Sequence, residues 1–374
     1  MTAARRLRIV VIAPLRFPIR RPHAGGLESA VWGEVAALRR RGHDVTFIAP
    51  TGSDFLDEDG PFRLPPLDWP AGAVPTDRTW PDSYHTRNAP ALGRALDEIA
   101  ADPSRYDVIS NHCLHPLPLQ RAASLGVPMV TTLHTPVDHD FVTAHRAAAG
   151  AGSAFLSVSD HTRREWAAAG VRSRLLPNGV DPATWQAGPG GGGIVWFGRI
   201  VPEKAPHIAV AVARRLGMPL TLAGRIGDAA YAEQAVLPEI GGDIRYAGEL
   251  SPDELASLVG RSSLALATPA WAEPFGLVAP EALLCGTPVV GFAVGGVPEV
   301  AAGTVGMELV TAGDVDAMAT SARGLLRRGE EPGYRAAVRE SAVRRFSLDA
   351  RIASLEAVLG ELAAGAVDET ALTA

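Results

Sequence analysis

The chain has 374 residues, which suggests two domains, and it is 47% hydrophobic and 20% charged, which excludes a disordered protein. The formal net charge of -6 gives no support to a nucleic-acid or anionic-membrane partner. The two cysteines, Cys113 and Cys285, are far apart in apolar contexts, which excludes a disulfide framework and a multi-cysteine zinc site.

Apolar runs alternate with helical segments along the first half of the chain. Residues 7–13 form a continuous apolar run typical of a buried parallel strand, and the helical stretch after Gly26 ends with Gly42 as its C-cap. Ser159 is expected to cap a helix that ends near Ala169. Further strands in this half are predicted at residues 44–49, 106–110, 128–134 and 154–158.

The alternation is interrupted once and then restarts. Residues 188–193 read GPGGGG, the strongest break in composition, and predict an interdomain linker. After it, strands are predicted at residues 194–198, 220–224, 244–247, 264–268 and 288–292. The final helix is predicted over 348–363.

The predicted fold class is α/β, with two Rossmann-like doubly wound domains. We expect an N-terminal domain over 1–187 and a C-terminal domain over 188–349. Ligands of such sheets bind beyond the carboxyl ends of the strands, so the two domains are expected to face a cleft.

The first strand leads into Gly25-Gly26-Leu27-Glu28 at a helix start. Glycines there let backbone N–H groups approach an anion, although a plain turn explains the pair equally well. The dinucleotide fingerprint G-x-G-x-x-G is absent after this strand, and no Walker A sequence occurs. A nicotinamide-dependent dehydrogenase is therefore disfavoured.

In the second half, Gly198, Arg199 and Lys204 follow the strand 194–198. Two cations five positions apart between a strand and a helix suit a diphosphate, and two solvated charges are the alternative.

Two carboxylates, Glu273 and Glu281, flank the start of a helix near Leu277. Gly276 removes a side chain where backbone amides would meet a phosphate. Glu281 could accept two hydrogen bonds from a ribose diol, and Glu273 could reach hydroxyls of a sugar on that phosphate. Acidic complementation of the helix dipole would explain Glu281 alone.

His134 ends an apolar strand, where it could contact a substrate hydroxyl; a hydrogen-bonded core histidine is the alternative. The pairs Asp57/Asp59 and Asp138/Asp140 match the D-x-D pattern that holds a metal on some sugar nucleotides. Such matches often arise by chance, and we predict no metal site.

Six segments in this order resemble a known family: G-G-L-E (25–28), the strand-end His134, S-V-S-D-H-T (157–162), L-P-N-G-V-D (176–181), F-G-R-I-V-P-E-K (197–204) and E-P-F-G-L-V-A-P-E-A (273–282). Together they resemble the retaining, nucleotide-sugar-dependent family-4 glycosyltransferases of the GT-B fold. The resemblance spans nearly the whole chain. It also implies that the C-terminal helix, within 350–374, packs back on the N-terminal domain.

The resemblance implies catalytic roles for four side chains. Arg199 and Lys204 would bind the donor diphosphate and stabilise the leaving group without a metal or cofactor. Glu273 would hold the sugar hydroxyls, and His134 would lie near the C6 hydroxyl of the sugar. Outside this catalytic set, Glu281 would bind the ribose of the donor.

Further binding residues follow from the same resemblance. The donor would also be contacted by Gly25, Gly26, Gly198, Phe275, Gly276, Leu277 and Val278. The acceptor would be contacted by Arg20, Arg21, Glu28 and His85. Arg20 and Arg21 could bind an acidic or phosphorylated acceptor, with solvated charge as the alternative.

The implied reaction is front-face substitution with retention, in which the departing phosphate takes the acceptor's proton. The donor would be a UDP-sugar or, next, a GDP-sugar, and the acceptor a small molecule or glycan. A nucleotide-sugar epimerase and a non-catalytic sugar-nucleotide binding protein remain as alternatives. A homodimer is one of the oligomeric states left open.

The high Ala, Gly and Arg usage fits a bacterial protein. No apolar stretch approaches the roughly 20 residues of a membrane span, and the run at 9–13 is too short for a signal peptide. The expected location is the cytoplasm.

Overall fold

The computed structural model describes residues 5–57, 59–70, 73, 80–148 and 152–365. The chain divides into two compact units. The first comprises the residues up to Pro177 together with those from Asp349 onward, and the second runs Asn178–Leu348. The division therefore falls after Pro177 and not at the expected position 187.

The glycine-rich run 188–193, predicted to be a linker, is packed within the second unit. The Gly188 N–H donates to the Cys285 carbonyl at 3.1 Å, and the Gly190 N–H donates to the Gly260 carbonyl at 2.9 Å. A Cβ atom on Gly188 would stand 2.2 Å from the Gly260 backbone. The linker prediction was wrong, because the glycines allow close backbone packing and do not mark a flexible connection.

The strands are β1 (Arg8–Ile12), β2 (Asp44–Pro50), β3 (Arg63–Leu64), β4 (Val108–Asn111), β5 (Met129–Leu133), β6 (Ala154–Ser157), β7 (Arg174–Leu175), β8 (Ile194–Phe197), β9 (Leu220–Ala223), β10 (Ile244–Tyr246), β11 (Leu264–Ala267), β12 (Val289–Phe292) and β13 (Met307–Val310). The helices are α1 (Gly26–Arg40), α2 (Ala89–Ala101), α3 (Leu117–Arg121), α4 (His139–Ala147), α5 (Asp160–Ala168), α6 (Pro206–Leu216), α7 (Ala229–Ala235), α8 (Pro252–Arg261), α9 (Val278–Leu284), α10 (Val297–Ala301), α11 (Val315–Gly329), α12 (Tyr334–Phe346) and α13 (Leu348–Ala363).

Each unit contains one parallel sheet. The first has the order β3-β2-β1-β4-β5-β6-β7 and the second β10-β9-β8-β11-β12-β13. Strands β4, β5, β8 and β12 are buried along their whole length, as expected for continuous apolar runs covered by helices on both faces. The strand order reverses between β1 and β4 and again between β8 and β11, where sheets of this type bind ligands.

The C-terminal helix α13 packs on the first unit, as expected. Ile352, Leu355 and Leu359 are fully buried on its apolar side. Its Glu356 accepts hydrogen bonds of 2.8 Å from Arg41 Nε and from His43 Nε2. The first unit is thus completed by residues from the far end of the chain.

Every predicted strand corresponds to an observed strand, with ends that coincide or differ by at most two residues. The N-cap at Ser159 is confirmed, since its side chain accepts a hydrogen bond from the Thr162 N–H. The C-cap of α1 is Arg41, and Gly42 follows it with a φ of 91°. Within the described residues, no helix combines the length and apolar character that crossing a membrane requires.

Candidate functional site

Two loops of the second unit, β8–α6 and β11–α9, are joined by hydrogen bonds at the carboxyl edge of the sheet. The Ala270 N–H donates to the Glu203 carbonyl at 2.8 Å, and Thr268 Oγ1 donates to the Lys204 carbonyl at 2.9 Å. Trp196, on β8, donates through Nε1 to the same Thr268 hydroxyl at 2.9 Å. The two loops are therefore fixed relative to each other at the point where the strand order reverses.

A third loop, β12–α10, lies against the backbone of Glu273. The Gly296 N–H donates to the Glu273 carbonyl at 2.8 Å. Gly295 has a φ of 57°, and a Cβ there would stand 2.2 Å from the Glu273 carbonyl oxygen. Only glycine permits this approach, so the third loop determines where Glu273 stands.

The Glu273 carboxylate is held by donors from both of the first two loops. Lys204 Nζ donates to Glu273 Oε2 at 2.5 Å, and Trp271 Nε1 donates to the same oxygen at 2.8 Å. Lys204 Nζ also lies 5.6 Å from the centre of the Trp271 ring, within cation–π range. The Lys204 and Glu273 side chains are only 21% and 13% exposed, so the ion pair is partly shielded from water.

Arg199 lies on the same loop as Lys204 and pairs with a different carboxylate. Its Nη2 is 3.7 Å from Glu203 Oε1, four residues further along the chain. Ala205, which follows Lys204, has a left-handed φ of 46°, a conformation that L residues adopt at a cost of about 1–2 kcal/mol. Such strain at the end of a loop that carries two cations is typical of functional sites.

Glu281 lies in the first turn of α9. Burial raises the pKa of its carboxyl to about 8, and the positive charge of Lys204 opposes this shift only in part. Within the described residues its side chain makes no hydrogen bond. At neutral pH the group is therefore largely a neutral acid, able both to donate and to accept a hydrogen bond.

The segment between Glu273 and Glu281 divides into packing and surface residues. Phe275 is buried, with its ring edge-on to Phe346 at 6.4 Å, so its side chain packs in the core and the predicted donor contact would fall to its backbone. Gly276 has a φ of 87°, which explains the glycine by backbone conformation. Leu277 and Val278 are partly exposed at the start of α9. Gly198, after β8, likewise has a positive φ of 149°.

In the first unit, Gly25 is the extended N-cap of α1, and Gly26 begins the helix. Glu28, predicted to contact the acceptor, is only 6% exposed. A Cβ on Gly25 would stand 3.0 Å from Glu28 Oε2. The carboxylate thus lies at the N-terminus of its own helix, where the helix dipole favours it, and its burial argues against direct acceptor contact.

The other residues predicted to contact the acceptor are exposed. Arg20 is at the surface, and the exposed Arg21 has its guanidinium 4.2 Å above the ring of Trp32. The exposed His85 stands edge-on to Tyr84, with ring centres 5.5 Å apart.

Beside His85 is an aromatic cluster in the first unit. Trp80, Tyr84 and His115 are in mutual ring contact, and the Arg16 guanidinium lies 4.6 Å from the Trp80 ring centre.

His134 ends a chain of buried hydrogen bonds in the first unit. Its Nε2 is 2.8 Å from His112 Nδ1, and His112 Nε2 is 2.9 Å from Glu34 Oε1. Ser110 donates to the same carboxylate oxygen at 2.8 Å, and Arg351 Nη1 donates to Glu34 Oε2 at 2.9 Å. We call Glu34, Ser110, His112, His134 and Arg351 the histidine relay.

The relay controls the ionisation of its members. Burial, together with the neighbouring His112 and Arg351, places the pKa of His134 well below its ordinary value, so His134 is neutral. Burial alone would raise the pKa of Glu34, but His112, Arg351 and Ser110 outweigh it and keep the carboxylate ionised. His134 is thus hydrogen-bonded through Nε2, and the residue as a whole is partly exposed.

The two D-x-D sequences differ in what the structure shows. Asp138 is the N-cap of α4, and its Oδ1 accepts from the N–H groups of Asp140 and Phe141. Asp57 and Asp59 flank Glu58, which lies outside the described residues. Within the described ranges, no three His, Cys, Asp or Glu side chains are grouped as metal ligands.

Two family models match the chain. Residues 24–184 match Glycosyltransferase Family 4, and residues 190–343 match Glycosyl transferases group 1.

Curated relatives include two mycobacterial enzymes. The D-inositol 3-phosphate glycosyltransferase of Mycobacterium marinum is 35% identical over 185 residues, or 46% of this chain and 40% of that protein. The chain thus aligns with less than half of that relative. The phosphatidyl-myo-inositol mannosyltransferase of Mycolicibacterium smegmatis is 27% identical over 86% of this chain and 85% of its own.

Solved structures share the fold. Sucrose-phosphate synthase from Thermosynechococcus elongatus has a TM-score of 0.77 at 20% identity, covering 96% of this chain and 100% of that one. Anabaena HepE, solved with UDP and glucose, has a TM-score of 0.70 at 17% identity, covering 95% and 99%. With its two parallel-sheet units, the chain has the GT-B fold and belongs to glycosyltransferase family 4.

Proposed function

We propose that this glycosyltransferase moves a hexosyl group from a nucleoside-diphosphate sugar to a hydroxyl acceptor with retention of configuration. The observation that carries the proposal is the Lys204–Glu273 pair, held between loops at the reversal point of the second sheet. A cation and a carboxylate in one place suit a ligand with a diphosphate next to a sugar. A dinucleotide site would instead need the glycine fingerprint that the sequence lacks.

In the proposed reaction, Arg199 and Lys204 stabilise the charge that develops on the departing diphosphate. Two fixed cations supply this stabilisation without a metal or other cofactor. Glu273 accepts hydrogen bonds from sugar hydroxyls, and Glu281 binds the ribose diol. The acceptor hydroxyl attacks on the face from which the diphosphate leaves, and the leaving phosphate takes its proton.

UDP is the first nucleotide to test and GDP the second. HepE, which shares the fold, was solved with UDP and with UDP-glucose, and this supports a uridine donor here. The names of both mycobacterial relatives contain inositol. One name specifies inositol 3-phosphate, and the other specifies the lipid phosphatidyl-myo-inositol. A polyol or its phosphate is therefore the first acceptor class to screen, and Arg20 and Arg21 are the candidate phosphate contacts.

The donor site is tested by calorimetric titration of UDP, GDP, ADP and dTDP in the presence of EDTA. We expect one diphosphate to bind without metal, and Lys204→Ala and Glu281→Ala to weaken that binding. Arg215→Ala is the matched control. It removes an exposed cation from the last turn of α6, the helix whose start follows Lys204. Equal binding by all four proteins would show that the donor-site assignment is wrong.

The reaction itself is tested with the matching nucleotide sugar and a panel of polyol and glycan acceptors. The anomeric configuration of the product, read by NMR, decides between retention and inversion. Conversion of the donor without any acceptor would identify an epimerase. Binding without turnover on any acceptor would identify a sugar-nucleotide binding protein.

A further inference from the structure

We propose that Glu34, His112 and Arg351 are positioning residues that present Nδ1 of His134 as a hydrogen-bond acceptor for a substrate hydroxyl. The role for the hydroxyl rests on the proposed function. The arrangement of protons in the relay follows from the buried Arg351–Glu34 pair and does not depend on that function.

The direction of each hydrogen bond follows from the ionised carboxylate. Because Glu34 can only accept, the proton between it and His112 belongs to His112 Nε2. Because Arg351 already compensates the Glu34 charge, we assign His112 a single ring proton, at Nε2, so that its Nδ1 is a lone pair and accepts from Nε2 of His134. His134 therefore carries its proton on Nε2, which leaves Nδ1 as an acceptor.

Nδ1 of His134 is available for an external partner. Within the described part of the chain it makes no hydrogen bond, and His134 is partly exposed at the end of β5, one strand away from the reversal point of the first sheet. His112, by contrast, is only 1% exposed and has both ring nitrogens engaged. The relay thus has one end in the core and one end at the surface.

The charge of Arg351 determines which arrangement of protons on His112 and His134 is stable. Its guanidinium compensates the Glu34 charge at 2.9 Å, in a place where the two side chains are 5% and 1% exposed. Without that compensation, the buried carboxylate would stabilise a second proton on His112. His112 Nδ1 would then donate to His134 Nε2, and the proton of His134 would move to Nδ1.

The exposed nitrogen would change from acceptor to donor in that second form. The groups that face the relay are Glu34 on α1, Ser110 on β4, the two histidines and Arg351 on α13. Among them, Arg351 supplies the one permanent positive charge. An accepting Nδ1 requires a donor such as a hydroxyl, whereas a donating Nδ1 would bind an anion or the oxygen of a hydroxyl.

The proton positions can be read directly by NMR on protein labelled with ¹⁵N in the histidine rings. Signals are assigned with the variants His112→Gln and His134→Gln. In the native protein at pH 7.5 we expect His134 to be protonated at Nε2 alone. In Arg351→Met we expect His112 to be doubly protonated and His134 to carry its proton on Nδ1, and Arg351→Lys should restore the native form.

Glu356→Gln is the control for the docking of α13. It removes a carboxylate that holds the same helix to Arg41 and His43 but lies outside the relay. It should leave the His134 tautomer unchanged. If Arg351→Met does not fold, Glu34→Gln tests the relay from its other end, because loss of the carboxylate should give a mixture of tautomers.

Kinetics supply a second readout. Arg351→Met should lower kcat/KM for transfer by roughly 2- to 10-fold, the range for loss of one hydrogen bond between neutral groups, while UDP affinity stays within about twofold. A native protein with the proton on Nδ1 of His134, or an Arg351→Met variant with the native tautomer, would overturn the proposal. If no nucleotide binds and no transfer occurs, the proposed function fails, while the NMR result still decides the relay.

Discussion

Arg351 donates a hydrogen bond of 2.9 Å to Glu34, although the two residues are 317 positions apart. One comes from the first helix of the chain and the other from the last. Both side chains are almost completely buried. A buried pair of this kind gives little net stability compared with apolar residues, but removal of one partner leaves an isolated buried charge.

Arg351→Met should therefore lower the free energy of unfolding by about 3–5 kcal/mol. Glu34→Gln should be destabilising too, and the double variant should lose less than the sum of the two, since the charges disappear together. Midpoints of urea unfolding give the comparison. Arg174→Ala is the control, because its pair with Glu361 joins the same helix to the first unit at the surface, at 46% and 48% exposure. It should cost less than about 1 kcal/mol.

Trp271→Phe should impair sugar turnover more than nucleotide binding. The change removes one of the two donors on the Glu273 carboxylate but leaves Lys204 in place. We expect kcat/KM for the nucleotide sugar to fall by roughly tenfold, as for a charge-assisted hydrogen bond, while the Kd for UDP stays within about twofold. Trp185→Phe is the control, since that ring stacks on Phe197 instead. A parallel loss of UDP affinity would contradict the assignment of Glu273 to the sugar.

Gly295→Ala should abolish turnover through a change in the backbone. The new Cβ would clash with the Glu273 carbonyl oxygen at 2.2 Å and push the two loops apart. Gly313→Ala is the matched control, with a similar left-handed φ of 81° but no atom within 4 Å of the new Cβ. Both variants should lose about 1–2 kcal/mol of stability from the backbone conformation. Retention of full activity in Gly295→Ala would show that the close approach does not position Glu273.

Glu281→Gln should stabilise the protein at alkaline pH. The unfolded carboxyl ionises near pH 4.5 and the folded one only at about 8, so its contribution to stability falls as pH rises between these values. The glutamine carries no charge and escapes this loss. At pH 9 we expect the Tm of the variant to rise by roughly 2–4 °C for each 1 kcal/mol of unfolding free energy that it gains over the native protein. At pH 5 we expect little change. Both values are measured by calorimetry.

An exposed glutamate provides the comparison for that experiment. Glu233→Gln, on the surface of α7, should show no such difference between the two pH values. A Tm difference that is the same at pH 5 and pH 9 would refute the raised pKa.

The strands were predictable because buried parallel strands are continuous apolar runs. The apolar runs of β1 and β5 clearly indicate buried strands. Strands β3 and β7 have two residues each, which is too short for a detectable pattern. The grouping of Lys204 with Glu273 also followed from sequence, since neighbouring parallel strands end at the same edge. The roles assigned to these residues remain predictions.

The histidine relay was not predicted, apart from His134. Glu34 lies among Val31, Val35 and Leu38 on the buried side of α1, and a carboxylate in an apolar stripe is the signal that could have identified it. Its partner Arg351 could not be found in this way, because the pairing depends on where the last helix packs. The linker predicted at 188–193 was wrong for a related reason, since composition does not distinguish a flexible glycine from one in close backbone contact.

The placement of α13 on the first unit also bears on how the protein is made. A ribosome releases the chain from its N-terminus, and domains usually fold in that order. Here the second unit, Asn178–Leu348, can be complete while the first still lacks a helix. During that interval Glu34 has no guanidinium beside it, and the apolar groove that later receives Leu355 and Leu359 is open to water. The N-terminal half is therefore synthesised before the second unit but completed after it, and the nascent protein needs chaperone protection at this groove until α13 has left the ribosome.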